Sequence, residues 1–254
     1  MLFSEIVYGP IHSRRLGCSL GINLMPLNGK ICSFNCVYCE CGFNTQGKYT
    51  LPKREDVAHA LQIKLEELHK QGITPDVFTF SGNGEPTMHP EFEGIIEDTC
   101  QLRDQYFPSA KISVLSNSTQ LGKDSVVRGL MKADNRILKF DSAFNATMKL
   151  IDQPVNENYS VEWLTERLCS FKGDLIVQTI FLRGEHDGKT IDNTTPQEVD
   201  AWVNALKTIQ PKQVMIYAID RATPVKTLEK IGKEELEQIA DKARNAGFTV
   251  SVAG

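Results

Sequence analysis

The sequence predicts an α/β fold built around a parallel sheet, and three observations support this. Short runs rich in β-branched and aromatic residues recur along the 254-residue chain, and segments with helical spacing separate them. Most of the runs are almost continuously apolar, as strands buried on both faces should be. Such alternation indicates repeated βαβ units. The six predicted strands are 18–25, 77–80, 111–115, 136–140, 175–181 and 213–219.

Six helices are predicted between and after these strands, and the residues at their ends support the assignment. Thr195 stands before Pro196 at the start of one helix, which is a typical helix-start pair. Gly72 and Gly247 follow the first and last helices, where glycine commonly ends a helix. A terminal strand is expected at 248–252. The predicted helices are 54–70, 90–106, 124–131, 161–171, 196–209 and 233–246.

Six strand–helix units are too few for a closed eight-unit barrel, which takes about 250 residues. Part of the chain is used in long loops and in an N-terminal arm at 1–17. We therefore predict one domain over 1–254 with an open, partial barrel of six units. In parallel α/β folds the chemistry gathers at the carboxyl ends of the strands.

Composition excludes several classes of protein. The 28 Lys and Arg residues against 32 Asp and Glu give a net charge of −4 and a pI near 5.8. No global basic field therefore favours nucleic acid or anionic lipid. The chain has no apolar run of about 18 residues, and its N-terminus does not resemble a secretory signal. We expect a cytoplasmic protein without membrane association, in which the seven cysteines form no disulfide framework.

Three cysteines fall in one short loop, 30–42, after the first predicted strand. Cys32, Cys36 and Cys39 offer thiolates that suit iron in a [4Fe–4S] cluster, and three ligands leave the fourth iron open. A zinc site that recruits Cys41 is one alternative, but structural zinc sites normally use two ligand pairs a dozen or more residues apart. Buried cysteines without metal are the other alternative, and this interpretation suits isolated cysteines better than three so close together.

The spacing of these cysteines, with Tyr38 directly before the last one, resembles the cluster loop of the radical S-adenosylmethionine (SAM) superfamily. The segments 8–21, 81–87 and 178–179, with Tyr217 and Arg221, further resemble a subfamily of predicted Fe–S oxidoreductases. That subfamily is related to the wyosine-forming tRNA enzymes but is shorter. Cys18 and Cys41 depart from its pattern, and we interpret them as ordinary small side chains.

The resemblance implies a partial (β/α)6 barrel of the radical SAM type, a [4Fe–4S] cluster on the three cysteines, and bound SAM. It also implies that the backbone at Gly84 and the carboxylate of Glu85 receive the SAM ammonium group, which would form a charge-assisted bond. The segment from Gly82 is nearly a dinucleotide fingerprint, but Pro86 and Thr87 break it. A turn with a solvated Glu85 is the remaining alternative.

Other strand ends carry further residues that are candidates for binding SAM or the substrate. Asn117 and Asp141 follow the third and fourth strands, and the resemblance implies that they face SAM or the substrate, although both residue types are also ordinary turn formers. Arg183 follows the fifth strand and suits a carboxylate of SAM or substrate. The segment from Gly184 to Thr190 is too short for a phosphate-binding loop.

The resemblance implies an oxidoreductase-like enzyme that reductively cleaves SAM to a 5′-deoxyadenosyl radical, which removes hydrogen from a substrate. It implies a low-potential electron donor of the flavodoxin or ferredoxin type. RNA, protein and small molecules remain substrate classes, and a basic cluster of His12, Arg14 and Arg15 could meet an anionic group. The main rival is an electron-transfer or structural cysteine module without SAM chemistry; a nicotinamide oxidoreductase is a third hypothesis.

Overall fold

The computed structural model describes residues 2–13 and 16–253, so Arg14 and Arg15 of the basic cluster lie outside the described residues. The chain divides into two compact units. The prediction of a single domain over 1–254 stays a prediction. The first unit comprises Met1–Cys32, Asn44–Ser116 and Gln120–Arg136, and the second comprises Ser33–Phe43, Asn117–Thr119 and Ile137–Gly254.

The first unit contains four adjacent strands, in the order β1 (Val7–Ser13), β2 (Gly17–Ile22), β3 (Val77–Phe80) and β4 (Lys111–Ser116). The pair β1–β2 is antiparallel, whereas β2, β3 and β4 are parallel. All four residues of β3 are buried, as its apolar sequence predicts. The helices of this unit are α1 (Arg54–Gln71), α2 (Phe92–Tyr106) and α3 (Asp124–Lys132).

Helix α1 shows how the sequence specifies these elements. Its buried residues Val57, Leu61, Leu65 and Leu68 recur at three- and four-residue spacing and form one apolar face. Gly72 then takes a left-handed conformation with φ of 70° and donates to the His69 carbonyl, which ends the helix.

The second unit contains a parallel set of strands in the order β5 (Asn135–Lys139), β6 (Ile176–Ile180), β9 (Gln213–Tyr217) and β11 (Val250–Ala253). It also contains a small antiparallel sheet in the order β10 (Leu228–Lys230), β7 (Leu182–His186) and β8 (Lys189–Asp192). The first two residues of β5 belong to the first unit. The elements in chain order are β5 (Asn135–Lys139), α4 (Asn145–Asp152), α5 (Val161–Cys169), β6 (Ile176–Ile180), β7 (Leu182–His186), β8 (Lys189–Asp192), α6 (Pro196–Ile209), β9 (Gln213–Tyr217), β10 (Leu228–Lys230), α7 (Lys233–Asn245) and β11 (Val250–Ala253).

All six predicted strands, all six predicted helices and the terminal strand are present, with ends shifted by a few residues. At the start of α6 the Thr195 hydroxyl accepts from the Glu198 N–H at 3.3 Å, which confirms the predicted cap. None of the described helices is long and apolar enough to cross a membrane.

Three strand regions within the described residues were missed: β1, the pair β7 and β8, and the three-residue strand β10, which pairs with β7. Strand β1 lies in the predicted N-terminal arm and contains Gly9 and Pro10, which weaken the sequence signal for a strand. It is an edge strand, and edge strands tolerate proline. Strands β7 and β8 form a hairpin whose turn, Asp187–Gly188, has positive φ at both residues. Asp-Gly is a strong hairpin signal, and it is the signal that could have found this pair.

Candidate functional site

The cysteine loop holds thiols that are available as ligands, because none of the seven cysteines forms a disulfide. Cys36 is buried, whereas Cys32 and Cys39 are partly exposed. Within residues 2–13 and 16–253, no three His, Cys, Asp or Glu side chains stand together as a ready-made metal centre. The assignment of Cys32, Cys36 and Cys39 as iron ligands therefore stays a prediction.

In the first unit, hydrogen bonds from the N–H groups of Ile31 and Cys32 hold the start of the cysteine loop. The Ile31 N–H donates to the Asn83 carbonyl at 3.0 Å, and the Cys32 N–H donates to Asn44 Oδ1 at 3.0 Å. Gly84 pairs with Ile31 in a parallel bridge. A Cβ atom on Gly84 would lie 1.7 Å from the Ile31 carbonyl oxygen, so only glycine allows this approach.

Glu85 lies directly after this glycine, and its carboxylate is buried and held in place. Its Oε1 accepts from the Thr87 N–H at 3.1 Å, the Thr87 hydroxyl at 2.5 Å and the Ser116 hydroxyl at 2.8 Å. Ser116 is the last residue of β4. Only 2% of Glu85 is exposed, so the alternative of a turn with a solvated glutamate is wrong.

Asn83 and Cys18 also have partners in the first unit. The Asn83 side chain bonds both backbone groups of Phe3 and donates to the Pro26 carbonyl, so it ties the N-terminal segment to the loop after β3. The Cys18 N–H donates to Asp76 Oδ2 at 2.8 Å, at the start of β2. Cys18 therefore lies at the opposite end of the strands from Glu85.

In the second unit, Tyr38 is the centre of a buried polar cluster. Its hydroxyl donates to Asp141 Oδ2 at 2.6 Å and lies 3.3 Å from Asp152 Oδ1. Lys139 Nζ donates to the same hydroxyl and to Asp141 Oδ2 at 3.2 Å. The Cys36 thiol lies 3.5 Å from Asp152 Oδ1, so the cluster reaches a predicted iron ligand.

The charges of this cluster follow from burial and from its neighbours. Burial and the nearby Asp141 raise the pKa of Tyr38 and of Asp152 well above their usual values, which favours the neutral form of each group. Burial is the largest single effect on the pKa of Lys139 and lowers it, but Asp141, followed by Tyr217, Cys36 and Asp152, together raise it by more, so the net shift is upward. Lys139 is therefore a mostly buried cation paired with Asp141.

Asp141 and Asn117 both follow strands, as predicted, and both are buried. Asp141 Oδ1 also accepts from the Ile180 N–H at 3.0 Å. Asn117 Nδ2 donates to the Ser33 hydroxyl at 2.9 Å, and its Oδ1 accepts from the Thr119 N–H at 3.1 Å. Asn117 therefore contacts the cysteine loop through Ser33.

Arg183 lies on β7 and its guanidinium already has anionic and polar partners. It donates to the Glu235 carboxylate of α7 and to the Thr194 hydroxyl, the latter at 2.8 Å. The segment from Gly184 to Thr190 forms the β7–β8 hairpin, in agreement with the rejection of a phosphate loop. Binding of a SAM or substrate carboxylate by Arg183 stays a prediction and would compete with Glu235.

The sequence reasoning missed two members of the second-unit cluster. Lys139 ends β5 directly after the apolar pair Ile137 and Leu138, and a lysine at that position was the available signal. Asp152 ends helix α4, which was not predicted. The helix has only eight residues, which is too short a segment to show a clear helical period.

The family model of the radical SAM superfamily matches residues 29–187 of this chain, more than half of its length. The chain belongs to the radical SAM superfamily and is an enzyme of that class. The match begins just before the cysteine loop and ends within the β7–β8 hairpin.

The chain is also similar in sequence to curated proteins. The chain is 30% identical to a protein of Brachyspira hyodysenteriae named GTPase Obg over 255 residues, covering 99% of this chain and 35% of that protein. It is 28% identical to a UPF0026 protein of Helicobacter pylori, covering 91% of this chain and 71% of that protein. The chain therefore spans about a third of the first relative and about seven-tenths of the second.

Solved structures show the fold. A radical SAM methyltransferase from Sphaerobacter thermophilus matches with a TM-score of 0.69 and 12% identity, covering 92% of this chain and 65% of that one. TYW1 with a lysine-pyruvate adduct bound matches with a TM-score of 0.60 and 14% identity, covering 89% of this chain and 73% of that one. The predicted fold, a partial α/β barrel of the radical SAM type with parallel strands, and the likeness to wyosine-forming enzymes are confirmed.

Proposed function

We propose that this enzyme binds one [4Fe–4S] cluster through Cys32, Cys36 and Cys39 and binds SAM at the open iron. The observation that carries the proposal is the short loop of three cysteines, which lies inside the segment matched by the radical SAM family model. Soft thiolates suit an iron–sulfur cluster, so the donor set fits the group. When bound, the reduced cluster supplies the electron that cleaves SAM to methionine and a 5′-deoxyadenosyl radical, which removes hydrogen from substrate.

Glu85 is the residue we assign to the SAM ammonium group. Its carboxylate is buried, and hydroxyl and amide donors from Thr87 and Ser116 fix the position of Oε1. A fixed carboxylate orients a cation without first paying the entropy of ordering the side chain. Gly84 brings its backbone against Ile31, beside Cys32, which supports a role for this loop near the cluster.

Tyr38, Asn117 and Asp141 are proposed to orient the cofactors from the second unit. Tyr38 and Asp141 are joined directly by a hydrogen bond, and Asn117 is joined to the cysteine loop through Ser33. Burial of these groups also excludes water, which a radical reaction requires.

A low-potential flavodoxin or ferredoxin is the proposed electron donor, because a low-potential cluster needs a comparably reducing partner. RNA, protein and small molecules are the proposed substrate classes. Binding of tRNA that weakens steeply with salt would favour RNA, since salt-dependent affinity reports phosphate contacts.

Anaerobic reconstitution with iron and sulfide tests the cluster assignment. We expect about four iron atoms per chain in the wild-type protein. Each of Cys32→Ala, Cys36→Ala and Cys39→Ala should lose most of this iron, whereas the matched variants Cys18→Ala and Cys41→Ala should keep it. Loss of metal binding on Cys41→Ala, with zinc preferred over iron, would instead support the four-cysteine zinc site.

Addition of SAM to the reduced cluster distinguishes the proposed enzyme from an electron-transfer or structural cysteine module. Binding of SAM at an open iron changes the electron paramagnetic resonance spectrum of the cluster. A spectrum that stays the same at saturating SAM would contradict the proposal and favour the module.

A further inference from the structure

Lys139, a mostly buried lysine at the end of β5, contacts the side chain of Tyr38 in the cysteine loop. The Lys139 side chain is 14% exposed, and its ammonium group donates to the hydroxyl of Tyr38, to Asp141 Oδ2 at 3.2 Å and to the Tyr217 hydroxyl at 3.4 Å. Nζ also lies 4.8 Å from the centre of the Tyr38 ring. Hydrogen bonding and a cation–π contact therefore both connect Lys139 to one side chain of the loop.

Burying an ammonium group is costly unless it is paired, and an apolar residue at a strand end would avoid that cost. Lys139 is paired with Asp141, whose side chain is fully buried. Compared with two apolar residues, the Lys139–Asp141 pair therefore adds little to the stability of the fold. It does fix the position of the Tyr38 hydroxyl, which is hydrogen-bonded to both residues.

The backbone of the turn from Cys36 to Cys39 makes hydrogen bonds of its own. The Cys39 N–H donates to the Cys36 carbonyl at 3.2 Å, which closes the turn. The Val37 N–H donates to the Ile151 carbonyl at 3.0 Å, which places the preceding residues against the end of α4. Tyr38 is the residue of this turn whose side chain connects it to β5.

We propose that Lys139 is a positioning residue for the Cys36–Cys39 turn, acting through the Tyr38 hydroxyl and balanced by Asp141. Its relevance to the cluster rests on the proposed function, in which Cys36 and Cys39 are iron ligands. The positioning itself is a property of the metal-free chain.

Alkylation of thiols in the metal-free, reduced chain tests this, with the rate at each cysteine followed by mass spectrometry. Lys139→Met keeps the length of the side chain and removes its charge, and Tyr38→Phe removes only the hydroxyl. Cys36 is 7% exposed in the wild-type structure. In both variants we expect it to react about tenfold faster, which corresponds to a decrease of about 1.4 kcal/mol in the free energy of opening the turn. Cys100 on α2 and Cys169 on α5 are internal controls whose rates should not change.

Two further variants separate positioning from general loosening. Lys139→Arg keeps the charge and should stay within about twofold of the wild-type rate at Cys36. Lys212→Met, which removes an exposed lysine paired with Asp174, should match the wild type. The double variant Lys139→Met/Tyr38→Phe should react no faster than the faster single variant, because both changes remove one interaction.

Several results would overturn the inference. They are an unchanged Cys36 rate in Lys139→Met, a rise at Cys169 equal to that at Cys36, or additive effects in the double variant. If Lys139→Met does not fold, an unchanged Cys36 rate in Tyr38→Phe overturns it alone. Because the labelling uses no metal, a wild-type chain that fails to assemble a cluster counts against the proposed function and leaves this result standing.

Discussion

At the scale of single residues, the cofactor assignment depends on a carboxylate that the fold has already oriented. Glu85 receives three hydrogen bonds on Oε1 from Thr87 and Ser116 and is 2% exposed. Neutral donors stabilise a buried carboxylate only in part, so a cationic ligand at this position gains a strong charge-assisted bond.

Replacement of Glu85 by Gln tests that bond. Gln retains a carbonyl oxygen that can accept from Thr87 and Ser116, so the fold should persist while the charge is lost. A hydrogen bond to a charged group is worth about 1.5–3 kcal/mol, so we expect the SAM affinity of the reconstituted protein to fall roughly ten- to a hundredfold. Equilibrium dialysis with labelled SAM measures this. Glu229→Gln, at an exposed position on β10, is the matched control, and equal affinity in both variants would refute the role of Glu85.

Gly84→Ala tests the close approach beside Cys32. The new Cβ would lie 1.7 Å from the Ile31 carbonyl oxygen, so the backbone must move, and we expect a loss of about 2–4 kcal/mol of unfolding free energy. Gly188→Ala is the control, since Gly188 also has positive φ but has open space around it and should lose only about 1 kcal/mol. Urea unfolding measures both. Similar losses would show that backbone conformation alone matters at Gly84.

At the scale of elements, helices α2 and α3 are joined by an ion-pair cluster around Glu93. Arg128 contacts both carboxylate oxygens, the nearest at 2.8 Å, and Lys132 Nζ lies 3.1 Å from Oε1. The hydrogen bonds from Arg128, and then those from Lys132, lower the pKa of Glu93 from 4.5 to about 2. The cluster is at the surface, so salt should weaken it.

This shift has a defined consequence for stability as a function of pH. The pKa is lower in the folded chain, so the stabilisation is fully present above pH 4.5 and is lost as the pH falls from there toward 2. Glu93→Gln should therefore reduce the slope of unfolding free energy against pH in this window, measured by urea unfolding at low salt. An unchanged slope would mean that the ion pairs contribute nothing in solution.

The sequence predicted the elements well where they are long and periodic, and less well where contacts are distant. Helix α6 was predicted with its observed bounds, because Thr195, Pro196 and the apolar spacing agree. The edge strand β1, with Gly9 and Pro10, and the short helix α4 carry weak local signals. Without α4, the place of Asp152 beside Cys36 could not be predicted.

At the scale of the whole molecule, the candidate residues predicted at the strand ends are buried there, but their contact partners were not predictable. Glu85, Asn117 and Asp141 follow parallel strands and are buried, as the fold class suggests. Ser116 lies 31 residues from Glu85, and Lys139 lies 101 residues from Tyr38. Such pairs depend on strand order and register, which local patterns do not specify.

The most direct test of the central claim is the yield of 5′-deoxyadenosine. The reconstituted protein is incubated anaerobically with SAM and dithionite, beside a variant that carries Cys32→Ala, Cys36→Ala and Cys39→Ala together, and the product is quantified by mass spectrometry. We predict 5′-deoxyadenosine from the wild-type protein and none above background from the variant. No product from a wild-type protein with a fully formed cluster, or equal product from both proteins, would contradict the account.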